Sequence, residues 1–314
     1  MQRYLLRRIA SMVVNLFLVS IFIFAALRLV PQNIAAEVLG PNASVEQYRQ
    51  FNHVTGLDQP ALKQFLRWGG GVIRGDFGKS FRTNIAVSSE FRQRLPVTLE
   101  VVVLSFGFAA VMGISFGALS AMRQNSPMDY GVRLFSIFGL SIPNFLLLTC
   151  LLIFPARWWG YAPSFGALSF FARPADNLQL FGPATFLLSV GSSAILMRLT
   201  RSAFLEVVRQ DYVRTARAKG LRERAVILRH ELRNALLPVL TLMGIQLGGL
   251  LGGSIILEQV MGLPGLGQWI LGAIAINDYP VIMAVALYSA LAVMIINLAV
   301  DLSYAVLDPR VRLA

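Results

Sequence analysis

The chain has 314 residues, of which 56% are hydrophobic and only 14% charged, with a mean hydropathy of +0.63. Soluble domains carry roughly 25% charged residues, so a water-soluble globular fold is excluded and lipid is the expected solvent. The net charge of +12 does not mark a nucleic-acid surface, because the arginines sit in short segments between apolar runs, where retention of basic loops in the cytoplasm explains them.

A helix needs about 20 mostly apolar residues to cross the hydrocarbon core. Six stretches qualify: Ile9 to Val30, Leu95 to Met122, Val132 to Phe154, Pro183 to Leu199, Ala235 to Val260, and Pro280 to Tyr304. The first follows Arg3, Arg7 and Arg8, is long for the apolar region of a signal peptide and has no small-residue cleavage site behind it, so it reads as a retained helix. The expected architecture is all-α and polytopic, with about six transmembrane helices. Residues 1–30 form the N-terminus and first span, 31–94 an extracytoplasmic region, and 95–314 a five-helix core with a cytoplasmic loop at 200–235.

Basic residues set the orientation. Arg3, Arg7 and Arg8, then Arg123 and Arg133, then the loop residues Arg209, Arg214, Arg217, Lys219, Arg222, Arg224, Arg229 and Arg233, and finally Arg310 and Arg312 all fall on one side if the number of spans is even. Both termini are therefore expected in the cytoplasm. The connection from Pro31 to Arg94 is also basic, but long loops translocate largely regardless of charge.

Inside the apolar runs, Gly113 and Gly117, and again Gly244, Gly248, Gly249, Gly252 and Gly253, recur at about four-residue spacing. That spacing permits close helix approach, and the second cluster also admits a hinge or pathway role. Glu100 and Glu258 lie within or beside spans, where a carboxylate is expensive and marks either a buried pairing or contact with cargo. Arg28 and Asp301 lie near span ends and can reach the interface. Cys150 sits in an apolar run and reads as a small buried hydrophobe. His53 and His230 are far apart, so no metal site is expected.

The loop from Gln210 to Pro238 is the most informative segment: Gln210-Asp211-Tyr212-Val213-Arg214-Thr215-Ala216-Arg217-Ala218-Lys219-Gly220-Leu221, continuing through His230-Glu231-Leu232-Arg233-Asn234-Ala235-Leu236-Leu237-Pro238. It reads as two short helices broken at Gly220, a residue able to take a left-handed conformation. Ala216 and Ala218 are small enough to let a partner approach, and Pro238 is expected near the start of the fifth span. A short amphipathic helix presented to the cytoplasm suits a groove on another protein.

This stretch resembles the EAA loop of binding-protein-dependent ABC importers, with Asp211 where the pattern often has Glu, Gly220 as its glycine, and Asn234 and Leu237-Pro238 closing it. Further motifs are similar to the B-type permease of the dipeptide, oligopeptide and nickel importers. They are Gly56-Leu57-Asp58-Gln59-Pro60, Gly75-Asp76-Phe77-Gly78-Lys79-Ser80, Leu95-Pro96-Val97-Thr98-Leu99-Glu100, Pro264-Gly265-Leu266-Gly267, Asp278-Tyr279-Pro280 and Leu307-Asp308-Pro309-Arg310. The resemblance implies a MetI-like type I permease fold in a bacterial inner membrane. It also implies a coupling helix from about Tyr212 to Lys219, with Asp211, Tyr212, Thr215, Ala216, Arg217, Ala218, Lys219, Gly220 and Leu221 facing the ATP-hydrolysing subunit. The implied partners are a second homologous permease, one or two cytoplasmic ATP-binding subunits that use ATP and Mg, an extracytoplasmic substrate-binding protein, and the bilayer; no cofactor is expected on this chain. Di- or oligopeptides head the implied cargoes, with nickel or a metal chelate as the alternative.

Two rival classes are weaker. Gly78-Lys79-Ser80 imitates the end of a phosphate-binding loop, but Ile73 stands where that loop needs its first glycine, so the chain is not expected to be its own motor. A secondary transporter working alone is expected to bury ion-coordinating groups at mid-membrane, and these acids lie mostly near span ends. An enzyme has no candidate residues, since no nucleophile, base and orienting group occur together in any pattern.

Overall fold

The protein is seen here in a computed structural model that describes residues 2–29, 34–160 and 173–307. In chain order its helices are α1 (Gln2–Leu29), α2 (Ile34–Leu39), α3 (Val45–Thr55), α4 (Ala61–Ile73), α5 (Val87–Met122), α6 (Pro127–Ser141) and α7 (Asn144–Trp159). There follow α8 (Pro174–Val208), α9 (Asp211–Ala218), α10 (Glu223–Ala225), a π-helical turn (Val226–Glu231), α11 (Leu232–Met261), α12 (Leu266–Ala275) and α13 (Tyr279–Leu307). Among the described residues five helices are long and apolar enough to cross a membrane, or six if the bent pair α6 and α7 is one span. The tail residues Arg310 and Arg312 and the ending Asp308-Pro309-Arg310 lie outside the described residues.

One expected span differs from the structure. Val132 to Phe154 is not a single helix: α6 and α7 meet at 91°. Pro143 is the reason, since it has no N–H and forces the residue before it out of the α region, and Ile142 is extended at φ −96°, ψ 122°. Hydropathy is blind to such a break because the apolar run continues across it. Two connections also hold more structure than expected: α2, α3 and α4 lie between the first and second spans, and α12 lies in the glycine-rich stretch before α13.

The chain divides into two compact units, and the first is discontinuous in sequence, Met1–Val97 with Pro264–Met294. Its core gathers Val87, Leu266, Ala273, Tyr279, Val281 and Val285 around the rings of Phe77, Phe81, Phe91 and Trp269. Ser44 starts α3 through a capping box with Gln47, and Gly56 ends it at φ +75°, a conformation open to glycine. The Asp278 carboxylate pins this unit across 198 positions, accepting from Ser80 Oγ at 2.5 Å and from the Phe81 N–H at 3.0 Å. Thus the Gly78-Lys79-Ser80 segment that imitates a phosphate loop is a turn held to the Asp278-Tyr279-Pro280 motif.

The second unit is Thr98–Leu263 with Ile295–Ala314. Here α8 is the central helix, packing against α6, α7 and α11. A Cβ on Gly113 would stand 2.4 Å from Leu196 Cβ, and one on Gly117 would stand 2.8 Å from the Met197 carbonyl oxygen. Gly117 therefore lets α5 touch the backbone of α8 and Gly113 makes room for the Leu196 side chain, as small-residue spacing in a membrane helix allows. In the other cluster Gly244 packs against the Val300 side chain, whereas Gly248, Gly249 and Gly252 meet nothing within 4 Å and Gly253 meets only Leu188 at 3.4 Å.

Candidate functional site

The candidate site is the segment that joins α8 to α11. Its first helix, α9, spans Asp211–Ala218, close to the expected Tyr212 to Lys219. Lys219 N–H and Leu221 N–H return to the Thr215 and Ala216 carbonyls at 3.0 and 3.4 Å, and Gly220 takes φ +75°, so the chain reverses in a left-handed cap. Glycine is needed there because an L side chain resists that backbone conformation.

Beyond the cap the structure departs from the two-helix expectation. The second helix is a single turn, α10, which runs through the π-helical turn into α11 without an intervening loop. Pro238 consequently lies inside α11 and not at its start. Its missing donor frees the Asn234 carbonyl, which a membrane helix tolerates when neighbours or local π geometry compensate. π-turns of this kind are concentrated at functional sites, and composition gives no sign of one.

Side chains on α9 fall into two groups. Val213 and Ala216 are buried against Val226 and Val207, so Ala216 is part of the segment's own packing and does not offer a surface to a partner. Arg217 also turns toward the chain: its guanidinium donates to Glu223 Oε1 at 2.7 Å and to Glu231 Oε1 at 2.7 Å. Hydrogen bonding to Glu223 is the main reason the Arg217 pKa lies above its ordinary value. The Glu231 side chain is only 1% exposed, so this guanidinium ties α9 to a carboxylate at the root of α11. Asn234 Nδ2 adds a second tie, donating to Tyr212 Oη at 3.0 Å and to the His230 carbonyl at 2.7 Å. The outward face is made by Asp211, Tyr212, Arg214, Thr215, Ala218, Lys219 and Leu221, all exposed. A shallow depression lined by Ser202, Leu205, Glu206, Arg209 and Gln210 opens where α8 hands over to α9. The arrangement is a short helix tied by hydrogen bonds to the root of α11, with its other face exposed.

The two carboxylates considered for a pathway both have protein partners. Glu258 is fully buried and accepts from Thr98 Oγ1 at 2.7 Å, and Glu100 is half-buried and accepts from Asn177 Nδ2. A further ionic centre escaped the sequence reading. Asp129, fully buried at the start of α6, accepts from Arg201 at 2.7 and 3.0 Å, from Arg133 at 2.6 Å, from Ser120 at 2.5 Å and from the Asn125 N–H at 3.0 Å. It knots the ends of α5, α6 and α8 into one block. Only its local half carries a sequence signal, since Asp129 and Arg133 have i,i+4 spacing while Arg201 lies 72 positions away.

Comparison with known proteins adds to this geometry. Residues 113–313 match the family described as the binding-protein-dependent transport system inner membrane component, and residues 1–102 match its N-terminal counterpart. The chain is 38% identical over 315 residues to the oligopeptide transport system permease protein AppB of Bacillus subtilis, covering 99% of this chain and 100% of that protein. It is 35% identical over 312 residues to the glutathione transport system permease protein GsiC of Escherichia coli K12, covering 99% of each. Among solved structures, the inward-facing MetNI methionine ABC transporter aligns with a TM-score of 0.54 at 24% identity, covering 67% of this chain and 93% of the matched chain. The helical fold is thus MetI-like, as the sequence led us to expect.

Proposed function

Because the chain belongs to the binding-protein-dependent transport system inner membrane component family of ABC transporters, we propose that it is one permease subunit of an importer for di- or oligopeptides. ATP is hydrolysed on a separate cytoplasmic subunit that docks on the bare face of α9. A second permease completes the pore, a substrate-binding protein delivers cargo outside, and both termini lie in the cytoplasm. Full-length identity to relatives named for oligopeptide and glutathione transport supports the cargo class. Glutathione is itself a small peptide, so both names point to one chemistry.

The observation that carries the reading is the pairing of an exposed face on α9 with the Arg217 and Asn234 ties that hold the same helix to the root of α11. ATP binding and cargo delivery move the permease only by favouring different conformations, since a ligand of equal affinity for both shifts nothing. Docking strain enters at Tyr212, Ala218 and Lys219, crosses Arg217 to Glu231, and reaches α11. From there it drives alternating access of the helical core. Proline cannot adopt φ +75°, and a carboxylate at Ala218 falls in the middle of the docking face. Gly220→Pro and Ala218→Glu are therefore expected to abolish peptide uptake while leaving the protein inserted at normal levels. Uptake at wild-type rates in both variants would refute the coupling role.

A further inference from the structure

Helix α4 carries an apolar stripe that the transport reading does not use. At about 100° per residue, Leu62, Leu66, Gly69 and Ile73 fall within an arc of about 60°. The three side chains on it are 70%, 63% and 88% exposed. The neighbouring face of α4 rests on α1: Phe65 meets Phe17 and Phe24 edge-on with centroids 6.2 and 5.4 Å apart, and Trp68 stacks on Phe24 at 6.4 Å. Arg28 on α1 also donates to Gln64. The remaining face is polar, and Gln64 and Arg67 line a cavity of about 680 Å³ with Arg28, Phe51 and Tyr279. The helix is therefore wet on one side, packed on the second and bare on the third.

What covers the bare side follows from α1. Residues Leu6–Leu29 are apolar enough to span a membrane, and none of that apolar window is buried within the chain. The stripe on α4 continues this lipid-facing surface sideways from the C-terminal half of α1, since Phe17, Phe24 and Arg28 are the residues it leans on. Lys63 and Arg74 lie along one edge of it, both exposed, and basic residues beside an apolar helical stripe suit phosphate headgroups. A soluble protein docking here would have to sit against a helix already turned to lipid.

We propose that α4 is an interfacial membrane helix, lying in the leaflet that surrounds the C-terminal half of α1 with Leu62, Leu66 and Ile73 in hydrocarbon and Lys63 and Arg74 at phosphate headgroups. Part of the nominally extracytoplasmic region is then a lipid anchor. Assignment to the outer leaflet rests on the orientation proposed above; the depth of the stripe does not.

The test uses the full chain with Cys150→Ala, carrying one cysteine at Leu62, Leu66, Ile73 or, as the wet control, Asp58. Each is labelled with bimane in vesicles of phosphatidylethanolamine and phosphatidylglycerol. The three stripe positions are expected to emit further to the blue than Asp58. They should also be quenched several-fold more by nitroxide-labelled lipid and several-fold less by iodide. Iodide quenching equal to that at Asp58, with no response to nitroxide lipid, overturns the proposal, as does shielding that arises only when the purified substrate-binding protein is added. Three positions keep the test intact if one variant fails to insert. In cells, an impermeant maleimide should reach the Asp58→Cys variant from outside; labelling only after permeabilisation would overturn the orientation while leaving the depth result standing.

Discussion

At the scale of single residues, charge placement decides which groups matter. Asp129 is wholly buried against the part-buried Arg201 and the more exposed Arg133, and removing the carboxylate leaves the Arg201 charge uncompensated, at a cost of about 3 kcal/mol. Asp129→Ala is expected to destabilise the protein by that order, read as a marked fall in thermal midpoint in detergent. Ser120→Ala removes one hydrogen bond, worth about 1 kcal/mol, and should fall much less. Equal midpoints for the two variants would show that the cluster is not a structural knot. Gly220 was readable from the sequence because a left-handed cap has a residue-type signature. The inward turn of Ala216 and Arg217 was not, because it depends on Val226, Glu223 and Glu231, which follow the break and fold back over α9.

At the scale of elements, apolar length located the spans but not their interruptions. The α6–α7 bend is written in Pro143, a residue that a hydropathy window averages away. The extension of α8 to Pro174–Val208, well past Pro183 to Leu199, comes from polar residues at either end that helical packing accommodates. Glycine spacing announced close approach without saying which cluster achieved it. In the second unit Gly113, Gly117 and Gly244 do. Gly117→Leu must displace the Thr200 side chain and the Met197 carbonyl, and overpacking of this kind costs about 1–3 kcal/mol. Gly248→Ala meets open space and should stay within about 0.5 kcal/mol of the parent. A purified Gly117→Leu chain as heat-stable as Gly248→Ala would contradict the backbone contact of α5 with α8.

At the scale of the whole molecule, family motifs were legible as strings, while their pairing was not. Ser80 and Asp278 each stood in a motif the sequence displayed, but 198 positions separate them, and only the folded chain brings Pro264–Met294 back to the N-terminal unit. The proposed function likewise depends on partners that meet one short helix. Cysteine at Ala218, in a Cys150→Ala background and co-expressed with the cognate ATP-binding subunit carrying single cysteines around its surface, tests this most directly. Disulfide formation between position 218 and a groove on that subunit, with a yield that changes when ATP is added, is the predicted result. Modification of position 218 by an impermeant reagent from the external medium, with no cross-link to the ATP-binding subunit in any nucleotide state, would contradict it.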